Sequence, residues 1–327
     1  MMTIIAYDAV EGAYHFDIAL DRVPSLITPQ NNEHWHIWID VMSDEPSELK
    51  ALKETLALDD YLIEDCLHPR QHAKLESFAD YHFFIVHGLV LPEDDAPCQT
   101  IELNCFLGDR FLVTHHEQPI ESIENTLRRA HLKNSRISQG TAYLAYEILD
   151  QLIDMFMPLL DDFDIRLETL QQQMVQTHLK VESASEYLRL SMQAQSLRRS
   201  SLKNEQVFYQ LAHSSLAFIT PQEARLFKDI YDHVVRVVDI SDHYQQSLRE
   251  VLNLQYSLNN TKVNEVLLFL TLLATISLPL NLLTGIYGMN FLWMPFLNDS
   301  YGFWIIFSLM LGAIVAMFIH FKRRQWL

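Results

Sequence analysis

Glycine, cysteine and nucleotide-binding motifs are scarce or absent in this sequence. Its 327 residues include eight glycines and three cysteines, and no GxxxxGK phosphate-binding loop occurs. Cys66, Cys98 and Cys105 show no CxxC spacing, which predicts reduced, packed thiols rather than a disulfide framework. Because the phosphate-binding loop is missing, nothing indicates an ATP-driven process. We predict that the protein is not an enzyme.

Basic residues are also few compared with acidic ones. The chain has 24 Lys and Arg against 42 Asp and Glu, a net charge of -18, and residues 1–262 alone carry -19. So acidic a body argues against a nucleic-acid partner; it fits attraction of cations, or simply solubility. The first eight residues lack a basic region and a long apolar core. This predicts no signal peptide and a cytoplasmic N-terminal body.

The first part of the chain, residues 1–118, is predicted to be a cytoplasmic α/β domain. Runs rich in aromatic and β-branched residues predict strands, and Gly108-Asp109 predicts a tight hairpin turn between two of them. Capping residues and apolar spacing predict the helices. The predicted strands are 35–41, 81–86 and 110–114, and the predicted helices are 46–56 and 59–67.

The next part, residues 119–219, is predicted to be a cytoplasmic helical region. An apolar stripe from Tyr143 to Leu170 predicts one long helix, and a second helix is expected from Val181 to Ala212. Thr220-Pro221 with Glu223 has the form of a capping box that starts another helix. Strands first and helices afterwards predict the α+β class.

The third part of the chain contains an unusually long stretch without a helix-breaking residue. Between Gln222 and Leu278 there is neither glycine nor proline, and as one helix this stretch would span about 86 Å. Two uncharged runs of 21 residues follow at 266–286 and 301–321. Each would be about 31 Å long as a helix, which matches the hydrocarbon core of a membrane.

These runs predict a two-helix transmembrane hairpin. Lys262 precedes the first run and Lys322-Arg323-Arg324 follow the second, whereas residues 287–300 contain no Lys or Arg. The positive-inside rule therefore predicts cytoplasmic N- and C-termini at the inner (plasma) membrane. The expected divisions are a stalk helix continuing into the first span at 220–290, an external loop at 291–300, a second span at 301–321 and a basic tail at 322–327.

A seam of small and polar residues runs along the first span with alternating steps of three and four. Asparagine in a membrane helix is costly unless it faces water or another helix, so the seam predicts either a pore lining or interhelical hydrogen bonds. Upstream, the same spacing from Asn260 back to Asp229 meets only polar residues, as in a wet passage or a solvated outer face. Since two spans cannot enclose a pore, a pore would need a ring of subunits. The seam comprises Asn264, Leu267, Thr271, Ala274, Leu278, Asn281, Gly285 and Gly288.

At its outer end the seam meets a recognisable motif. The segment Gly285-Ile286-Tyr287-Gly288-Met289-Asn290, with Met294-Pro295 after it, resembles the CorA family of magnesium and cobalt channels. The segment 64–76 similarly resembles that family's E-D-x-x-H-x-R-Q-x-x-K-x-E stretch. The resemblance implies a homopentamer with funnel-shaped cytoplasmic domains and an entry filter of Gly288, Met289 and Asn290.

The resemblance also implies roles for residues deeper in the pore and in the cytoplasm. Asn264 and Asn281 would repeat the filter contact, Leu267 and Leu278 would form hydrophobic rings, and Thr271 and Gly285 would line the pore. Channels of that family are closed by magnesium that binds between the cytoplasmic domains of neighbouring subunits. By similarity, the closing site consists of Asp229, Asp232 and His233 facing Glu93, Asp94 and Asp95 of a neighbour.

Magnesium is thus expected both as the transported and as the regulatory ion, with Co²⁺, Zn²⁺ and Ni²⁺ as other candidate substrates. One departure concerns the loop, where Phe296-Leu297 stands in place of the family's Glu-Leu. It leaves open a zinc transporter of the ZntB branch. A third hypothesis is a membrane-tethered sensor that conducts nothing, in which case the seam would be packed and dry.

Overall fold

The structure is a computed structural model that describes residues 1–27, 34–43, 46–68, 72–90, 99–176, 181–289, 294–295 and 300–324. It divides into two compact units, Met1–Val251 and Leu252–Leu327.

A mixed seven-stranded sheet forms the centre of the first unit. Its order is β2-β1-β3-β7-β6-β5-β4. The central pair β3 and β7 is parallel, and all other neighbours are antiparallel. The strands are β1 Met2–Asp8, β2 Ala13–Phe16, β3 Trp35–Met42, β4 Lys74–Ser77, β5 Tyr81–Val90, β6 Gln99–Gly108 and β7 Phe111–His116. The three strands predicted from the sequence and the Gly108-Asp109 turn are therefore confirmed.

Helices cover both faces of this sheet. Short helices α1 Val23–Ile27, α2 Pro46–Leu56 and α3 Asp60–Leu67 pack on one face, where Ile37 and Ile39 of β3 are fully buried. The other face carries Trp38 and Phe84 and packs against the longer helices that follow. Every residue of β7 is buried, as expected for a strand enclosed on both faces.

The longer helices begin with α4 Glu121–His131, α5 Thr141–Asp154 and α6 Phe156–Gln176. The prediction of one helix from Tyr143 to Leu170 is wrong, because α5 and α6 are separated at Met155. Pro158 explains the break, since it has no N–H to offer the carbonyl of Asp154 and its ring crowds that carbonyl. The apolar stripe itself is buried across both helices, for example at Leu152 and Phe163.

Helix α7 spans Val181–His213, and α8 spans Pro221–Tyr287. The predicted capping box is present at the start of α8. The Thr220 amide donates to Glu223 Oε2 at 2.7 Å, and the Glu223 amide donates to Thr220 Oγ1 at 3.3 Å. In the first unit, α8 buries an apolar stripe in the core through Phe227, Ile230, Val234, Val237, Tyr244, Leu248 and Val251.

The second unit contains the C-terminal part of α8 and the last helix, α9 Gly302–Arg323. Both helices have 18-residue windows of high mean hydropathy, 2.2 in α8 and 2.4 in α9, of which only 0% and 6% is buried. A core helix of a water-soluble domain would be mostly buried, so this exposed apolar surface fits the two predicted membrane spans.

Candidate ion pathway and metal cluster

Helices α8 and α9 present matching half-buried stripes in the second unit. The stripe on α9 follows helical spacing through Gly302, Ile306, Met310 and Phe321. A cavity of about 320 Å³ between the two helices is lined by residues of both, among them Tyr287 and Phe307. The two stripes therefore face each other. The stripe on α8 comprises Leu272, Ile276, Leu280, Leu283 and Tyr287.

The polar seam of α8 lies on the opposite side of this helix. At 3.6 residues per turn, the seam centres roughly 180° from the half-buried stripe. All eight seam residues are exposed, Leu267 at 54% and Leu278 at 71%. The hairpin therefore leaves the seam exposed, although Gly288 at its C-terminal end also borders the cavity between the two helices. In the described part of the chain nothing packs on the rest of the seam.

Two asparagines distinguish this seam from the rest of the span. Thr271 Oγ1 donates to the Leu267 carbonyl at 2.7 Å, and Thr284 Oγ1 donates to the Leu280 carbonyl at 3.0 Å. Among the described residues, by contrast, no hydrogen bond reaches the carboxamides of Asn264 and Asn281. Burying an unpaired amide in hydrocarbon costs several kcal/mol. Both amides therefore need water, an ion or a further polypeptide as partner.

The motif at the C-terminal end of α8 is described only in part. The Gly288 amide donates to the Thr284 carbonyl at 2.9 Å, which extends the helical hydrogen bonding past Tyr287. A Cβ at Gly288 would lie 3.1 Å from that same carbonyl oxygen, whereas Gly285 has open space. Glycine is thus sterically favoured at Gly288 by the chain's own backbone. Met289 is 51% exposed, and Asn290 lies outside the described residues.

The upstream part of the seam is exposed as well. In the first unit the residues from Asp229 to Glu250 at this spacing are all exposed, and in the second unit so are Asn253, Ser257 and Asn260. In the first unit the buried stripe of α8 occupies a different side of the helix. Each part of the seam is therefore an uncovered polar surface.

A cluster of carboxylate and imidazole side chains lies between α5 and α8 in the first unit. Asp150, Asp154 and His233 each place one ligand atom within 4.8 Å of the others. His233 Nδ1 is 3.9 Å from Asp154 Oδ1 and makes no hydrogen bond among the described residues. Two carboxylates and an imidazole form a donor set suited to a divalent cation.

The electrostatics of this cluster favour a cation. Burial raises the pKa of Asp150, and the neighbouring carboxylates of Asp154 and Asp229 raise it further against the opposing effects of His233 and Arg136. Neighbouring ionised carboxylates repel one another. A bound cation would relieve this repulsion.

The predicted regulatory residues are brought together only in part. His233 joins the cluster and Asp229 is close enough to affect Asp150, but Asp232 is exposed and is not among the clustered ligands of the described chain. Glu93, Asp94 and Asp95 lie outside the described residues. Asp150 and Asp154 are absent from the sequence prediction. Their spacing of four, which puts two acids on one face of a helix, is the signal that could have identified them.

An acidic first unit, two exposed apolar helices and a polar seam along one of them are features expected of a membrane protein that handles cations. A protein-family model described as CorA-like Mg2+ transporter protein matches residues 33–323. The chain belongs to this family and is a divalent metal ion transporter.

Curated relatives span nearly the whole chain. The cobalt/magnesium transport protein CorA of Methanocaldococcus jannaschii is 26% identical, over 95% of this chain and 99% of its own length. The zinc transport protein ZntB of Yersinia pseudotuberculosis is 22% identical, over 95% of this chain and 91% of its own length. Relatives with different cargo ions thus resemble this chain over similar lengths.

A solved structure matches the fold over its full extent. The complete structure of the CorA magnesium transporter from Methanocaldococcus jannaschii superimposes with a TM-score of 0.83, at 23% identity, covering 100% of this chain and 99% of that one. The predicted α+β domain with long helices followed by two apolar helices is confirmed.

Proposed function

We propose that the protein is a homopentameric channel that admits Mg²⁺, and also Co²⁺, to the cytoplasm, with both termini on the cytoplasmic side. The observation that carries the proposal is the uncovered seam on the side of α8 that faces away from α9. One ring of five α8 helices would place the seam around a common axis, where water and ions satisfy the amides of Asn264 and Asn281. Helix α9 would then face the lipid.

The chemistry of the seam suits a strongly hydrated cation. Magnesium loses its water shell reluctantly. A ring of neutral carboxamides at Asn290, repeated at Asn281 and Asn264, would bind the hydrated ion through its water without trapping it. Rings of Leu278 and Leu267 would close the passage by excluding water. A divalent ion entering down 100 mV gains about 4.6 kcal/mol, so no other energy source is required.

The cytoplasmic cluster would supply the regulation. We propose that a divalent cation binds at Asp229 with Asp150, Asp154 and His233, and that it does so more tightly in the closed state than in the open one. Asp232 and the Glu93-Asp94-Asp95 segment of a neighbouring subunit remain in the proposal as further ligands. Rising cytoplasmic magnesium would then close the channel.

Flux into proteoliposomes tests the conduction proposal. Wild type should carry Mg²⁺ and Co²⁺ when the interior is negative, and Asn290→Ala should lower that flux at least about tenfold because the filter loses its amide ring. Asn298→Ala removes an amide from the predicted external loop and should leave the flux unchanged. Unaltered flux in Asn290→Ala would reject the filter, and no flux of any divalent ion through wild type would favour the non-conducting sensor.

The regulatory proposal has its own measurement. Asp229→Ala and Asp154→Asn should keep the channel active at internal magnesium concentrations that silence wild type. Asp80→Asn, an exposed acid outside the cluster, is the matched control. Equal inhibition of all four proteins would show that this cluster does not close the channel.

Zinc is the second candidate substrate. Two observations support it, namely the similarity to ZntB over 95% of this chain and the imidazole of His233 in the cytoplasmic cluster. Imidazole nitrogen favours zinc, cobalt and nickel over magnesium. Zinc or nickel flux without magnesium flux in the same proteoliposomes would establish this alternative.

A further inference from the structure

The first unit also contains a cavity that takes no part in the proposed conduction or its regulation. A cavity of about 500 Å³ opens between α7, α8 and the segment that precedes β4. Its volume lies in the range of small-molecule sites, about 300 to 1,000 Å³. The lining residues are His72, Ala73, Gln195, Arg198, Arg199, Leu202, Lys203, Gln206 and Gln245.

Hydrogen-bond donors dominate this lining. It contains two guanidinium groups, one ammonium group, one imidazole and three carboxamides, and it includes no carboxylate. Arg198 donates its Nε–H to Asp242. Among the residues that the structure describes, the other polar side chains of the lining form neither hydrogen bonds nor ion pairs. The lining therefore combines several cationic donors with the carboxamides of three glutamines, each of which can donate or accept.

This arrangement is unusual for so acidic a chain. With 42 acidic residues against 24 Lys and Arg, a basic side chain has many carboxylates available as partners. Arg199 and Lys203 are nevertheless four residues apart on one helix face, where like charges repel, and neither has a partner in the described chain. A bound anion would remove the repulsion and satisfy the donors.

We propose that this cavity binds a phosphate-bearing anion with several charged oxygens. Arg199 and Lys203 would hold the phosphate groups, and the carboxamides of Gln195, Gln206 and Gln245 would donate further hydrogen bonds. The half-buried Ala73 and the partly exposed Leu202 provide an apolar wall on which a nucleoside could rest. The shared chemistry is the phosphate chain, whether it comes from a free polyphosphate or from a nucleotide. This proposal does not rest on which ion the channel carries.

Isothermal titration of the full-length protein in lipid nanodiscs tests the site. The titrants are inorganic tripolyphosphate and ATP, each in magnesium-free buffer. At least one of them should bind saturably to wild type, and Arg199→Gln/Lys203→Gln should weaken that binding at least about tenfold through the loss of two charge-assisted contacts. The control Arg22→Gln/Lys50→Gln removes the same charge from exposed positions outside the cavity and should bind as wild type does.

The pattern of binding also identifies the source of the phosphate. Comparable binding of both titrants would support the phosphate chain as the recognised group, and binding of ATP alone would support a nucleotide. Failure of both titrants to bind wild type would overturn the proposal. So would binding that the cavity variant and the control variant weaken equally, because the attraction would then follow net charge rather than this cavity.

Discussion

The two units of this protein differ in the burial of their apolar side chains and in the hydrogen-bond partners of their polar side chains. In Met1–Val251, large apolar residues such as Trp38 and Phe84 are buried. The buried Glu147 there has specific partners, since its carboxylate accepts from the Ser135 hydroxyl and from the Arg136 amide. In Leu252–Leu327, apolar residues are widely exposed and the seam asparagines lack partners in the described chain. The first unit encloses its own apolar core, whereas the exposed apolar surface of the second fits a membrane.

The largest expected effect is a loss of stability confined to the first unit. Phe227 is fully buried on α8 and meets Tyr146 edge-on at 6.5 Å. Phe227→Ala should lower the free energy of unfolding by about 3–5 kcal/mol because it leaves a cavity. Phe269→Ala, which removes a ring that is 65% exposed on the same helix, should change it by less than about 0.5 kcal/mol. Urea unfolding followed by tryptophan fluorescence compares the two, and equal losses would contradict this difference between the units.

A smaller effect, on transport instead of stability, is expected from the seam. Asn281→Leu should lower ion flux about tenfold or more, which corresponds to roughly 1.4 kcal/mol, because an apolar ring replaces a ring of amides. Ser308→Leu makes a comparable polar-to-apolar change in α9 and should have little effect. Flux into proteoliposomes is the measurement. The assignment of α8 to the pore would fail if Ser308→Leu reduced flux more than Asn281→Leu did.

The capping box at the start of α8 provides a further test. Thr220→Ala removes the hydroxyl that accepts from the Glu223 amide and should lower the free energy of unfolding by about 1 kcal/mol. Thr220→Ser keeps the hydroxyl and should stay close to wild type. Ion flux measured below the denaturation temperature should be the same in both variants. A flux change specific to Thr220→Ala would show that this end of α8 takes part in transport.

A buried histidine makes the stability of the first unit depend on pH. His116 Nδ1 lies 2.6 Å from the Gln118 carbonyl, and Nε2 lies 3.3 Å from Asp40 Oδ1. Burial lowers the pKa of His116, but the Asp40 carboxylate outweighs it, with help from the Gln118 carbonyl and Glu124, and the pKa is raised. The pKa of the neighbouring His115 is shifted in the opposite direction, because burial lowers it.

The smallest expected effect follows from this shift. A raised pKa means that His116 contributes stability fully below about pH 6.5, and that this stability is lost as pH rises through the folded-state pKa. The difference in unfolding free energy between wild type and His116→Asn should therefore shrink as pH is raised above about 6.5. His115→Asn, the control, should change the pH dependence in the opposite direction. If the difference in unfolding free energy between wild type and His116→Asn grew with pH, it would contradict an ion pair between protonated His116 and Asp40.

The sequence predicted the architecture well wherever a local pattern has one physical solution. Thr220, Pro221 and Glu223 form the expected capping box, and the two apolar runs are helices. It failed between Tyr143 and Leu170, since the apolar stripe continues across a break that Pro158 produces. The filter assignment at Asn290 and the regulatory assignment at Glu93, Asp94 and Asp95 stay predictions.

What the sequence determined by itself is the set of periodic features: three of the seven strands, the long helix without breakers, the two apolar helices and the polar seam. Each is local, because a residue's spacing along a helix or strand sets its face. Only the tertiary structure decided that the seam lies opposite the α9 contact, that Asp150 and Asp154 meet His233, and that Arg199 and Lys203 share a cavity with His72 and Gln245. Those contacts join residues far apart in the chain, and packing of the helices against the sheet and one another brings them together.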